Sequence, residues 1–156
     1  RGSKGDWDWG IVQTGHSLVP DTNEVRIYYF GSSYRHGKSE KGCKKIGMAS
    51  WPTDRFVGLR AGSSEGEIHI PITTPGTKLH INANACGGSV TATISDTEGG
   101  LPNGVETSPS IPLTEDSLDH VFRWPQDNSM SKLPASLTTN VTLKICNAEI
   151  YSLWMD

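Results

Sequence analysis

"GEIHIPITTPGTKLHINANACGGSVTATIS", residues 66–95, decides the fold. Ile68, Ile70 and Ile72 alternate with Glu67, His69 and Pro71, the period of two that turns successive side chains to opposite faces of a strand. Leu79 and Ile81 repeat the alternation in "KLHINANA" (78–85), as do Val90, Ala92 and Ile94 in "SVTATIS" (89–95). Runs of this kind bounded by Gly and Pro read as β-strands with one buried face. Pro71 has no N–H for a ladder, which places its strand on a sheet edge or turns that position outward. "TPGT" (74–77) reads as a tight turn joining the first two runs into a hairpin. In that hairpin His69 lies opposite Asn82 and His80 opposite Pro71, so the two histidines are diagonal neighbours about 7–8 Å apart. With Glu67 as third partner they are too sparse for a zinc ligand set, and no metal site is assigned.

The same texture extends outward. "EVRIYYFG" (24–31), "KKIGMASW" (44–51) and "RFVGLRAG" (55–62) precede the stretch; "DHVFRW" (119–124) and "NVTLKICNAEIYSLWMD" (140–156) follow it. Between them "DTEGGLPNGVETSPS" (96–110) reads as a polar loop without the Asp density of a dedicated calcium loop. "SMSKLPASL" (129–137) reads as a helical turn or a compact loop. No segment repeats apolar residues at i, i+3, i+4 and i+7 over three turns. The expected class is therefore all-β and antiparallel: a β-sandwich over 61–156, preceded over 1–60 by strands richer in aromatic residues.

The chain has 156 residues, 17 of them Gly and nine Pro, which suits short strands and frequent turns. A net charge of −3 gives no electrostatic reason to bind nucleic acid or an anionic membrane. No apolar run approaches the ~20 residues of a membrane span. Cys43, Cys86 and Cys146 are too dispersed for a metal knuckle, and one disulfide with a free thiol or none at all fits equally well. Asn140-Val141-Thr142 is an N-glycosylation sequon. The expected setting is extracellular, with any leader already removed.

The chemistry-bearing residues cluster early. "GDWDWGIVQTG" (5–15) sets two tryptophans among acids, and Tyr28, Tyr29, Tyr34 and Trp51 follow. Sugar rings stack their C–H faces on indole and phenol rings while polar neighbours bind the hydroxyls. On that logic Asp8, Trp9, Tyr34, Arg35 and His36 are the candidate ligand-binding residues; the competing reading is that these rings pack a core or an interface. "SSYRHGKSEKGCKK" (32–45) is a basic loop that is either solvated or suited to an anionic sugar, sulfate or carboxylate. Asp6 and Asp8, two apart on an apparent strand, share a face. Ser117, Asp119 and His120 mimic a triad in composition only, because adjacent strand residues face opposite ways. There is no Gly-rich phosphate cradle and no nucleophile elbow, and no cofactor is implied.

Taken in order, "WDWGIVQTG", "EVRIYYFGSSYRHG", "DRFVGL" (54–59), "EDSLDHVFRW" (115–124) and "AEIYSLWMD" (148–156) resemble the C-terminal part of proteins related to glycoside hydrolase family 32, the invertase- and fructanase-like enzymes. The resemblance covers nearly the whole chain. It implies a last β-propeller blade followed by a β-sandwich, with the family's catalytic acids on earlier blades. None of those acids has a counterpart here, so no catalytic residue is assigned. Two functions follow as expectations. One is a non-catalytic, lectin-like module binding a glycan or oligosaccharide. The other is a C-terminal structural fragment of a larger glycoside hydrolase. The protein partner would be a second copy of the chain or an N-terminal propeller.

Overall fold

The computed structural model describes residues 1–37, 42–73, 76–96, 108–125 and 139–156, and these contain strands and no helix. Residues 74 and 75 of the expected turn, most of the loop at 96–110 and all of 129–137 lie outside them. The chain divides into two compact units, Arg1–Thr53 and Asp54–Asp156.

The first unit is one antiparallel sheet. β1 (Ile11–Thr14) and β2 (Val19–Pro20) pair in succession along one edge of β3 (Glu24–Ser32), and β4 (Lys44–Pro52) pairs along the whole of the other. Register assigns the two faces. Val25, Ile27, Tyr29 and Gly31 share one with Trp51, Ala49, Gly47 and Lys45; Tyr28 and Phe30 share the other with Met48 and Ile46. The N-terminal segment lies on the first face. A Cβ at Gly31 would run into the Trp7 ring, and one at Gly47 into the Tyr29 ring. Both glycines thus let aromatic rings lie against the strands, where Trp7 and Tyr29 stack at 5.7 Å between centroids and 17° between planes.

One expectation fails here. Asp6 and Asp8 do not sit on a strand: residues 4–9 run through turns, with the Asp6 N–H donating to Ser3 O (3.0 Å) and the Ser3 N–H to Asp6 Oδ2 (2.7 Å). The side chain of Asp6 closes its own turn, which outcompetes an extended backbone.

The second unit is a two-sheet β-sandwich. One sheet has the order β6 (Gly66–Ile72), β10 (Thr139–Cys146), β8 (Ser89–Asp96). The other has β5 (Leu59–Ala61), β11 (Ala148–Met155), β7 (Leu79–Asn84), β9 (Asp116–Val121). All pairings are antiparallel. The alternating residues read from the sequence meet between the sheets: Val90, Ala92, Ile94, Val141 and Leu143 from one, Ile81 and Ala83 from the other, all 0% exposed. Full burial of a Leu or Ile contributes about 1.5–3 kcal/mol. Leu113, Phe122 and Trp124 close the same core.

Described strands consecutive in sequence alternate between the sheets throughout this unit. The expected β6–β7 hairpin is therefore not formed, although both strands exist. Instead β6 is an edge strand paired to β10, with Pro71 opposite Asn140, and β7 lies inside the other sheet. His69 and His80 accordingly belong to different sheets. The most abrupt crossing is at Asn147, whose φ of 44° turns the chain between β10 and β11 within one residue; Asn is among the few residues that accept that conformation. The expected division at residue 60 also differs from the one found. β5 pairs with β11, so the segment from Asp54 onward folds with the sandwich.

Candidate functional site

Hydrogen bonds donated by main-chain N–H groups gather three of the five predicted ligand-binding residues, Trp9, Tyr34 and Arg35, at one end of the first unit. The Gly10 N–H donates to Ser32 O (2.9 Å) and the Tyr34 N–H to Ser32 Oγ (3.2 Å). Ser33 and Cys43 exchange two bonds, Ser33 N–H to Cys43 O (3.1 Å) and Cys43 N–H to Ser33 Oγ (2.9 Å). Three sequence segments are thereby tied together. Within them the Arg35 guanidinium lies 5.7 Å from the Trp9 ring centroid, and Lys44 Nζ lies 5.4 Å from that of Tyr34. Both rings are half-buried, and a cation over an aromatic face contributes about 0.5–1 kcal/mol at an exposed site.

The other two predicted residues stand apart. Asp8 is buried, and its carboxylate accepts the Gly2 N–H (3.2 Å) and the Tyr29 hydroxyl (3.1 Å). It fastens the N-terminal turn to β3. His36 is exposed in the following loop. Neither Asp6 nor Asp8 is thus a free carboxylate, and among the described residues no pair of acids flanks this cluster in the manner of a glycosidase.

Charge distinguishes the site. Arg35, Lys44 and Lys45 make no ion pair with a carboxylate among the described residues, in a chain of net charge −3. The Lys44 ammonium beside the ring holds the Tyr34 phenol below its ordinary pKa. Tyr29 moves the other way, pushed up by burial and then by its bond to Asp8. A hollow of about 390 Å³ on this unit is lined by Thr14, Gly15, Tyr28, Tyr29, Phe30 and Ile46, away from Trp9 and Tyr34.

Two constellations in the sandwich were not legible in the sequence. Arg55, with a side chain only 10% exposed, donates from Nε to Asn82 Oδ1 (2.8 Å) and from Nη2 to Asp116 Oδ1 (2.5 Å) and Ser117 O (3.1 Å). Its guanidinium also lies 4.6 Å from the Tyr151 ring centroid. This clamps the segment before β5 onto its sheet, a structural role. The second is His80, whose Nδ1 lies 2.6 Å from Asp119 Oδ1. Asp119 therefore serves His80, while His120 packs edge-on against Phe122, and the Ser117, Asp119, His120 composition forms no triad. Both signals escape a linear reading because the partners lie 27 to 62 residues apart.

The three cysteines are free thiols. Asn140 of the sequon is half-buried on β10, between Pro71 and Ser95 of the flanking strands. No group of three His, Cys, Asp or Glu among the described residues could hold a metal ion. No helix among them is long and apolar enough to cross a membrane. A scan against protein-family models, a search of curated proteins and a search of solved structures each found no match.

Proposed function

We propose that this chain is a non-catalytic carbohydrate-binding module built on a glycosidase-like scaffold, working in an extracellular setting. Its ligand surface is the end of the first unit that carries Trp9, Tyr34 and Arg35, with Lys44 beside them, His36 in the adjoining loop and Asp8 as the anchor behind. The observation that carries this reading is the pairing of two half-buried rings with two cations free of carboxylate partners among the described residues. A saccharide ring stacks on the indole or phenol, and the guanidinium and ammonium donate to its oxygens. The same cations favour a sugar bearing a carboxylate or sulfate. Among the described residues no acid pair flanks this surface, so binding without bond cleavage is the proposed role. A glycan array probed with the purified chain, Trp9→Ala and Tyr34→Ala tests it. At least one glycan is expected to bind and to lose about tenfold in affinity in either variant, the worth of one stacked ring. Binding unaffected by both substitutions would place the site elsewhere.

A second reading rests on a different observation. Tyr28, Met48 and Ile46 share the face of β3 and β4 that the N-terminal segment does not cover, and are 48%, 51% and 71% exposed. An apolar sheet face of this kind commonly packs on another layer. That favours a structural role within a larger glycoside hydrolase. Recovery of the chain as a stable monomer that binds glycans would count against it; aggregation relieved by Ile46→Lys with no glycan binding would count for it.

A further inference from the structure

We infer that the sandwich carries a second saccharide site of its own, a cleft along β9 in which Asp119 receives ligand hydroxyls while buried His80 holds it in place. The cleft has a volume of about 460 Å³, and Glu115, Ser117, Asp119, His120 and Arg123 line it above Val121. That volume falls in the range of small-ligand sites, roughly 300–1,000 Å³.

The support for Asp119 is the feature that sets this cleft apart from ordinary surface. His80 stands on β7 directly opposite Val121 of β9, so Asp119 is its diagonal neighbour. The imidazole is stacked on Trp154 at 5.2 Å and 21°, and its side chain is only 8% exposed. Its Nδ1 faces the Asp119 Oδ1 at 2.6 Å, an acceptor, so Nδ1 carries the proton and donates. Its Nε2 lies 3.3 Å from Asp156 Oδ1, within ion-pair distance but not aligned for a hydrogen bond. Asp119 itself is 62% exposed. A surface carboxylate normally samples several rotamers and loses them on binding a ligand; one fixed by a packed ring has already given up that freedom.

The lining selects the ligand class. Glu115 and Asp119 disfavour an anion, and Arg123 disfavours a simple cation. A neutral polyol suits both: its hydroxyls donate to the carboxylates and accept from the guanidinium. β9 is the outer strand of its sheet, so Asp119 and His120 border the cleft from opposite faces of that strand; burial pushes the His120 imidazole below its ordinary pKa, so at pH 7 it offers one donor and one acceptor. Ile111 and Val121 meet the C–H faces.

The test is an amide-resolved NMR titration of the full chain with raffinose, maltotriose and mannotriose, each to millimolar excess. With at least one, saturable shifts are expected at residues 115–123. Asp119→Asn should weaken binding about tenfold, as the loss of a charge-assisted hydrogen bond does. His80→Asn, which keeps a donor near the position of Nδ1, should stay within about threefold, whereas His80→Leu should fall with Asp119→Asn. Because His80 is buried, Asp119→Asn is the deciding variant, read alongside its unchanged spectrum elsewhere. No saturable shift at 115–123 with any of the three sugars, or Asp119→Asn binding like the parent chain, overturns the proposal. The outcome is separable from that of the first site: shifts confined to Trp9, Tyr34 and Arg35 refute the cleft alone, and shifts at 115–123 that survive in Trp9→Ala uphold it alone.

Discussion

Both units are antiparallel sheet, yet they bury their side chains to different extents. In Asp54–Asp156 two apolar faces meet, and Ile81, Val90, Ile94, Val141 and Leu143 are each 0% exposed. In Arg1–Thr53 the one hydrophobic side chain under a tenth exposed among the described residues is Val25, at 9%. The difference follows from layer number. A sheet has two faces, and a sandwich covers the inner face of each sheet with the other. The first unit covers one face with a turn held by Trp7 and Asp8 and leaves Tyr28, Met48 and Ile46 outward. Stability is thus concentrated in the sandwich, and the aromatic and cationic groups suited to recognition are concentrated in the single sheet.

The sharpest way to break this comparison is a pair of truncations. Leu143→Ala at the centre of the sandwich is expected to cost about 2–5 kcal/mol in equilibrium urea denaturation, through lost contacts and a residual cavity. Ile46→Ala, 71% exposed in the first unit, should change stability by no more than about 0.5 kcal/mol. Equal effects would show that Ile46 is buried in solution.

Arg55→Met comes next. It leaves Asp116 and Asn82 without the guanidinium and removes the ring contact with Tyr151, an expected loss of about 2 kcal/mol in the same denaturation. Arg55→Lys should recover less than half of it, since an ammonium cannot reach several acceptors in one plane. In the first unit Tyr29→Phe removes the bond to Asp8 and should cost about 1 kcal/mol. Hydrogen exchange would show the loss locally, as faster exchange of the Gly10 amide bonded to Ser32.

The smallest effects are in titration. Lys44 lowers the Tyr34 phenol, while burial raises those of Tyr29 and Tyr151. A spectroscopic titration should therefore show Tyr34 ionising before Tyr29 and Tyr151, and Lys44→Met should delay it. The signs carry over to stability. Tyr29 and Tyr151 have folded pKa values above their unfolded ones, so their contribution is complete below the unfolded value near 10 and is lost as pH rises through the folded value. His120 is the mirror case: burial lowers its folded pKa, so its contribution is present above about 6.5 and is lost as pH falls through the folded value. His120→Gln should flatten that acid limb.

Legibility in the sequence followed the same division. Alternation at Ile68–Ile72, Leu79–Ala83 and Val90–Ile94 correctly identified strands and their inward faces, because period two is a local property of the chain. Pairing was not legible. A short turn favours a hairpin, but β6 pairs with β10 while β7 pairs with β11 and β9 in the opposite sheet, and the crossing at Asn147 has no signature beyond one residue tolerant of positive φ. At the candidate site the meeting of Trp9 with Arg35 was legible as composition, and the diversion of Asp8 into a buried anchor for Tyr29 was not. A carboxylate reads as polar and exposed until the backbone N–H and phenol that bury it are placed around it. Arg55 and His80 escaped for the same reason, each defined by partners far along the chain.

The proposed function is to hold a saccharide without cleaving it. It is tested most directly by titrating the chain with the strongest glycan from the array, following tryptophan fluorescence and released reducing ends in the same sample. A saturable fluorescence change, lost in Trp9→Ala, is expected, with no sugar released over the full incubation. A reducing-end signal that grows with protein concentration, or a flat fluorescence trace across every glycan tried, would contradict it.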